Sequence, residues 1–127
     1  MALQLSDNTK KDQIKTAIML EWARVCNDPI YFLRTYFKIA HPTRGKIDFN
    51  LYPFQERAAA QLLLHKYNLV LKSRQIGLST LEAGLNLGKA ITKNDQNILI
   101  IATKLATART MFNKVKLGYA CLPKWMK

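Results

Sequence analysis

Residues 69–80, LVLKSRQIGLST, combine the residue types that a phosphate-binding loop requires. An apolar stretch leads into a turn with a single glycine, and a predicted helix follows that begins with a Ser-Thr pair. Glycine lets backbone N–H groups approach phosphate oxygens, a helix N-terminus favours negative charge, and a hydroxyl can bind Mg²⁺. The pattern therefore predicts a nucleoside triphosphate site formed by the following loop residues: Ser73, Arg74, Gln75, Gly77, Ser79 and Thr80.

The cation of this predicted site has an unusual position. The common nucleotide-binding pattern has Lys directly after the glycine, where this chain has Leu78. Arg74 lies inside the turn, before Gly77, and a guanidinium offers several N–H donors in a planar fork that suits phosphate oxygens. Lys72, at the end of the apolar stretch, is a second candidate. The alternative is an ordinary strand–turn–helix connection with Arg74 in solvent.

The elements that position this loop follow from the spacing of apolar and turn residues. In chain order, the sequence predicts a frayed start over 1–10, a helix over 11–25, a second helix capped by Asn27 or Asp28 and opened by Pro29, a turn over 41–46, an extended segment over 47–52, and a helix from Pro53 to about His65.

The second half of the chain predicts a fold of the α/β class. Largely apolar runs at 67–72 and 96–103 are typical of buried parallel strands. Helices are predicted over 79–92 and 105–119, with small residues in the first of them allowing close helix–sheet contact. The order strand, loop, helix, strand, helix implies parallel strands joined by a right-handed crossover.

Composition limits the class of partner and the compartment. The net charge of +12, from 20 Lys and Arg against 8 Asp and Glu, favours a polyanionic partner, with nucleic acid as the leading candidate over a merely basic surface. No apolar run approaches the ~20 residues that span a bilayer, and the N-terminus is too polar for a signal peptide. We therefore expect an intracellular protein with Cys26 and Cys121 reduced.

Several segments together resemble one protein family. SRQIGLST is similar to the variant phosphate loop of the terminase large subunit, the ATP-driven motor that packages DNA into the heads of tailed bacteriophages. LYPFQERAAAQL resembles the family's segment upstream of that loop, ILIIATKLATARTMFNKVK its second core strand and following helix, and DPIYFLRTYF its lead-in. The resemblance extends from about Asp28 to the end of the sequence.

The resemblance implies a fold, ligands and partners. It implies a partial P-loop NTPase core over 47–127, preceded by a helical N-terminal segment over 1–46. The ligands would be ATP and Mg²⁺, with Arg74 neutralising phosphate charge, Ser79 nearest the ion, and the amide of Gln55 meeting adenine. The implied partners are double-stranded DNA, the portal protein, the small terminase subunit and further copies in a ring. The implied location is the host cell cytoplasm, with transient docking on the prohead.

The sequence departs from the family pattern after the loop. The family's ATPase has a strand ending in Asp-Glu, the Walker B motif, and a C-terminal nuclease, and this sequence contains neither. The acids that remain, Glu82 and Asp95, carry no assigned catalytic role. We therefore expect an N-terminal portion of such a motor that hydrolyses ATP negligibly alone. Because two parallel strands form a small sheet with unpaired edges, we also expect this portion either to be marginally stable or to depend on another chain that completes the sheet.

Two other functions fit part of the sequence. A helicase-like ATPase fragment would share the nucleotide chemistry, but such proteins usually keep Lys after the glycine, so Leu78 disfavours this reading. A small basic DNA-binding protein without nucleotide chemistry would explain the charge, but it would not explain the strand–loop–helix order.

Overall fold

The computed structural model describes the backbone of residues 2–127 and the side chains of residues 9–127. Its elements are helices α1 (Ala2–Asn27), α2 (Pro29–Thr35), α3 (Pro53–Leu64), α4 (Leu78–Thr92) and α5 (Leu105–Cys121), strands β1 (Lys38–His41) and β2 (Gly45–Asp48), and a 3₁₀ turn at Lys124–Met126. No helix in this described part of the chain is long and apolar enough to cross a membrane.

The break between α1 and α2 lies where the sequence predicts it. Asp28 is the N-cap of α2, and its carboxylate accepts hydrogen bonds from the N–H groups of Ile30 (3.0 Å) and Tyr31 (2.9 Å). Pro29 occupies the first turn, where a missing N–H costs nothing. The expected frayed start is wrong for the backbone, because α1 already begins at Ala2.

The strands form an antiparallel hairpin that the sequence did not predict. Lys38 pairs with Asp48 in register and His41 with Gly45. The predicted turn over 41–46 is confirmed in part: residues 42–44 connect the strands, whereas His41, Gly45 and Lys46 belong to them. Gly45 has a left-handed backbone, with φ 73°. The hairpin spans the expected boundary between the segments 1–46 and 47–127.

The predicted α/β fold, a partial P-loop NTPase core with parallel strands, is wrong. Segments 67–72 and 96–103 run without helix or strand structure, and β1–β2 is the only sheet among residues 2–127. The composition of the two apolar runs is typical of strands, but a strand exists only when another strand satisfies its N–H and C=O groups. Neither segment has that partner here, and Leu69, Leu71, Leu99 and Ile101 are exposed.

The hydrophobic core is built around α4. Leu81 and Leu87 of this helix are buried against Phe32 and Leu33 of α2 and against Phe37, which follows α2. The other buried apolar residues that complete this cluster are Val25, Phe49, Ala59, Leu78, Ala83, Leu122 and Met126. The small residues of α4 do allow close contact, as expected, but the partner is α2 and not a sheet.

The ring of Phe37 lies between two helix glycines. A Cβ on Gly84 of α4 would lie 3.0 Å from Phe37 Cδ1, and a Cβ on Gly118 of α5 would lie 2.8 Å from Phe37 Cδ2 and 2.9 Å from Leu87 Cδ2. Real Cβ atoms almost never lie closer than 3.0 Å to such atoms, and a distance of 3.0 Å is itself tighter than most real Cβ contacts. The two helices are therefore as near to this ring as backbone allows.

The N-terminal helices and the C-terminus meet in an aromatic cluster. The hydroxyls of Tyr31 and Tyr36 donate to the Glu21 carboxylate at 2.6 and 2.7 Å. The hydrogen bond from Tyr31 is the main reason that the pKa of Glu21 lies below its usual value. Trp125 packs edge-on against Trp22 and Tyr36, with ring centroids 6.3 and 5.7 Å apart. This contact fixes the end of the described chain on α1.

Candidate phosphate-binding site

The loop before α4 contains two residues with positive φ. Gln75 and Gly77 both have left-handed backbones, with φ 63° and 76°. The carbonyl of Gly77 accepts hydrogen bonds from the N–H groups of Thr80 (3.1 Å) and Leu81 (3.0 Å), so α4 starts directly after it. Alternating backbone conformations of this kind turn successive N–H groups toward one side and form an anion-binding concavity.

The predicted site residues divide into exposed and half-buried groups. Ser73, Arg74 and Gln75 are exposed, whereas Gly77, Ser79 and Thr80 are half-buried at the start of α4. The side chain of Arg74 makes no hydrogen bond or ion pair with the residues that the structure describes. The Arg74 guanidinium is therefore free to reach a phosphate, which is what the proposed replacement for lysine requires.

Gln55 is brought to the same loop from α3, but its amide is already engaged. The side chain is 2% exposed; its Nε2 donates to the carbonyl of Ile76 at 3.1 Å, and its Oε1 accepts from the N–H of Tyr52 at 3.0 Å. A Cβ on Gly77 would lie 2.6 Å from Gln55 Nε2. Gln55 therefore holds the loop in this structure, and its expected contact with adenine stays a prediction.

Leu78 faces the core. Its side chain is 4% exposed and belongs to the central apolar cluster. An ammonium at this position would be removed from water and would have no partner. Burying an unpaired charge in this way costs several kcal/mol. The geometry of this helix start thus explains why an apolar residue stands where the common pattern has lysine.

A second cation, which the sequence did not predict, reaches the site from α5. The ammonium of Lys114 donates a hydrogen bond to the hydroxyl of Thr80 at 2.9 Å. The two residues are 34 positions apart, and Lys114 is one of many scattered basic residues. No local pattern marks it, because its role comes from the packing of α5 on α4.

A cavity of about 400 Å³ opens beside this contact. Polar groups of Thr80, Lys114, Thr110 and Asn113 line it, together with Lys38 and the apolar residues Phe37, Ile39, Ala40 and Leu117. Lys38 forms an ion pair with Asp48. Lys114 has no such carboxylate partner among the described residues.

The two acidic residues that follow the loop in sequence, Glu82 and Asp95, are not among the residues that line this cavity. Glu82 lines a different, larger cavity of about 550 Å³, and Asp95 lies in an exposed turn with φ 55°. Within the described residues, no group of three or more His, Cys, Asp and Glu side chains could hold a metal ion. Cys26 and Cys121 are both free thiols.

Comparison of this chain with protein-family models and with curated proteins finds no match. Its function must therefore be inferred from the loop, its neighbours and the sequence resemblance described above.

Proposed function

We propose that this chain is an ATP-binding segment from the N-terminal part of a phage terminase large subunit, the motor that packages double-stranded DNA into the prohead. One observation carries the proposal. The SRQIGLST run that resembles the family's phosphate loop has left-handed backbones at Gln75 and Gly77 and leads straight into the N-terminus of α4. An exposed, unpaired Arg74 lies in the same turn.

In this proposal each loop residue has a distinct part. Backbone N–H groups around Gln75 and Gly77 bind phosphate oxygens, and Arg74 neutralises their charge. Mg²⁺ usually keeps several waters and is bound through substrate phosphates plus few protein oxygens. The Ser79 hydroxyl, half-buried at the start of α4, suits that limited role. The ion would therefore arrive with the nucleotide.

Hydrolysis by this chain alone is expected to be negligible. Water attack on a γ-phosphate needs a group that positions the water and a carboxylate that helps to hold Mg²⁺. Glu82, the acid nearest to Thr80 in sequence, lines another cavity. DNA, the portal protein, the small subunit and further copies in a ring are the partners that the proposal adds, in the host cytoplasm and on the prohead.

The test is direct measurement of ATP binding by isothermal titration with Mg²⁺ present. Arg74→Ala should weaken binding about 10- to 100-fold, because hydrogen bonds to charged groups contribute roughly 1.5–3 kcal/mol. Arg44→Ala is the matched control, since Arg44 is also an exposed arginine in a turn but lies in the hairpin. Equal affinity of wild type and Arg74→Ala would contradict the proposal.

The net charge of +12 favours a second candidate function, DNA binding without nucleotide chemistry. Phosphate contacts by Lys and Arg release counterions, so affinity for DNA should then fall steeply with salt. DNA binding of that kind, together with no measurable affinity for ATP, would favour the second candidate over the first.

A further inference from the structure

We infer that Lys114 binds a phosphate of the nucleotide beside Thr80 and thereby supplies, from α5, the ammonium that position 78 cannot provide. This inference rests on the proposed function, because its ligand is the triphosphate of that same site. It adds a binding residue that lies outside the loop motif and that the loop sequence does not reveal.

Lys114 contacts the start of α4 through the hydroxyl of Thr80. Thr80 lies in the first turn of α4, and its N–H donates to the carbonyl of Gly77, the last residue of the loop. The Lys114 ammonium, 2.9 Å from the Thr80 hydroxyl, is therefore next to the helix start where phosphate would sit. One hydrogen bond to a neutral hydroxyl leaves further N–H donors of the ammonium available.

The positive charge of Lys114 has no carboxylate partner among the described residues. A helix N-terminus carries positive potential, so a cation there is unfavourable unless an anion is present. The ion pairs among the described residues are Arg34–Glu56 and Lys38–Asp48, and neither involves Lys114. A half-buried ammonium at the positive end of α4 without a carboxylate is unfavourable in the free protein. A bound phosphate would satisfy both the ammonium and the helix.

Lys114 lines a cavity, and the close packing of α4 and α5 restricts its position. The neighbouring cavity of about 400 Å³ gives a ligand a route to Lys114, and Thr110 and Asn113 add polar groups on its wall. Lys114 and Thr80 each lie four residues, about one helical turn, before the glycines that enclose the Phe37 ring. The close packing of α4 and α5 thus holds the ammonium near the helix start before any ligand binds.

The experiment measures binding of ATP and of inorganic tripolyphosphate to wild type, Lys114→Gln and Lys114→Arg. Lys116→Gln is the matched control, because Lys116 is an exposed lysine of the same helix. We expect Lys114→Gln to lose about 10-fold or more in affinity for both ligands, Lys114→Arg to keep most of it, and Lys116→Gln to match wild type. Restoration by Arg separates a binding role from a packing role.

Circular dichroism and thermal unfolding without ligand check the fold of each variant, and Lys114→Met replaces Lys114→Gln if the latter is unfolded. If wild type binds ATP and the charge-neutral variant binds equally well, the inference is wrong while the proposed function stands. If wild type binds neither ATP nor tripolyphosphate, both are wrong. Loss of ATP affinity with unchanged tripolyphosphate affinity would also overturn the inference, because Lys114 would then act on the nucleoside.

Discussion

The Gln55 amide joins α3 to the loop before α4. It is buried, it bonds the Ile76 carbonyl and the Tyr52 N–H, and it fills the space where a side chain at Gly77 would stand. A left-handed backbone at a residue such as Gln75 costs about 1 kcal/mol or more and persists only when neighbours enforce it. Gln55 provides part of that enforcement.

Replacing Gln55 separates loop positioning from adenine recognition. Gln55→Ala should lower the free energy of unfolding by about 1–3 kcal/mol, because the buried partners of the amide lose their hydrogen bonds. It should also weaken ATP and tripolyphosphate alike, as measured by titration. Gln61→Ala, at an exposed position of the same helix, should change neither quantity. A loss confined to ATP would instead show that Gln55 meets adenine.

Single residues were predictable from sequence only where a local pattern defines them. Gly77, Arg74 and the Ser-Thr pair belong to one short run, so their proximity follows from the chain itself. The contacts of Gln55 with Ile76 and of Lys114 with Thr80 join residues 21 and 34 positions apart. Such contacts depend on how whole helices pack, and the hydrophobic pattern of each helix does not specify them.

At the scale of elements, α4 and α5 form a pair that runs in the same direction. Lys114 of α5 contacts Thr80 of α4. About one turn further along both helices, Gly84 and Gly118 lie on either side of the Phe37 ring. Segment 96–103, which has no helix or strand structure, returns the chain along this pair, and at up to ~3.3 Å per residue it is long enough to do so. Two glycines at matching levels therefore set how closely the helices pack.

Gly118→Ala should destabilise the protein despite the better helix propensity of alanine. Overpacking against the Phe37 ring and Leu87 costs about 1–3 kcal/mol, whereas alanine gains about 1 kcal/mol as a helix former. We expect a net loss of up to about 2 kcal/mol in urea unfolding monitored by circular dichroism. Arg109→Ala, exposed on the same helix, serves as the control and should stay near wild type. A stabilised Gly118→Ala protein would show that the helices can separate freely.

The helices were predicted well because their signals are local. The predicted ranges 79–92 and 105–119 lie within the observed α4 and α5, and the Asp28 cap and Pro53 start are confirmed. The strand predictions failed for the opposite reason: apolar composition describes a segment that can join a sheet, but pairing depends on a partner elsewhere. The β1–β2 hairpin was missed because its strands are short and half-exposed.

At the scale of the whole molecule, two apolar segments face solvent on a strongly basic protein. Leu69, Leu71, Leu99 and Ile101 are exposed in segments without helix or strand structure. Exposed apolar side chains on backbone without strand partners favour association with other chains. The net charge of +12 opposes association of copies at low salt, and this repulsion weakens as salt screens it.

Association should therefore rise with salt and depend on the exposed leucines. The double variant Leu69→Ser/Leu71→Ser should remain monomeric to higher salt and protein concentration than wild type in sedimentation velocity. Its unfolding midpoint in dilute solution should stay unchanged, because both side chains are exposed. Leu81→Ser, at a fully buried position, should by contrast lower that midpoint strongly. A double variant with reduced stability would show that the segment packs in solution.

The ring of Phe37 determines how far apart α4 and α5 lie at the candidate site. Phe37 is far from the loop in sequence. Its ring nevertheless separates the two helices about one turn beyond the contact between Thr80 and Lys114. A slimmer or bulkier side chain there would move hydroxyl and ammonium relative to each other without altering either. Affinity at the loop can thus be adjusted from inside the core, by a residue that belongs neither to the loop nor to the pair of side chains at its edge.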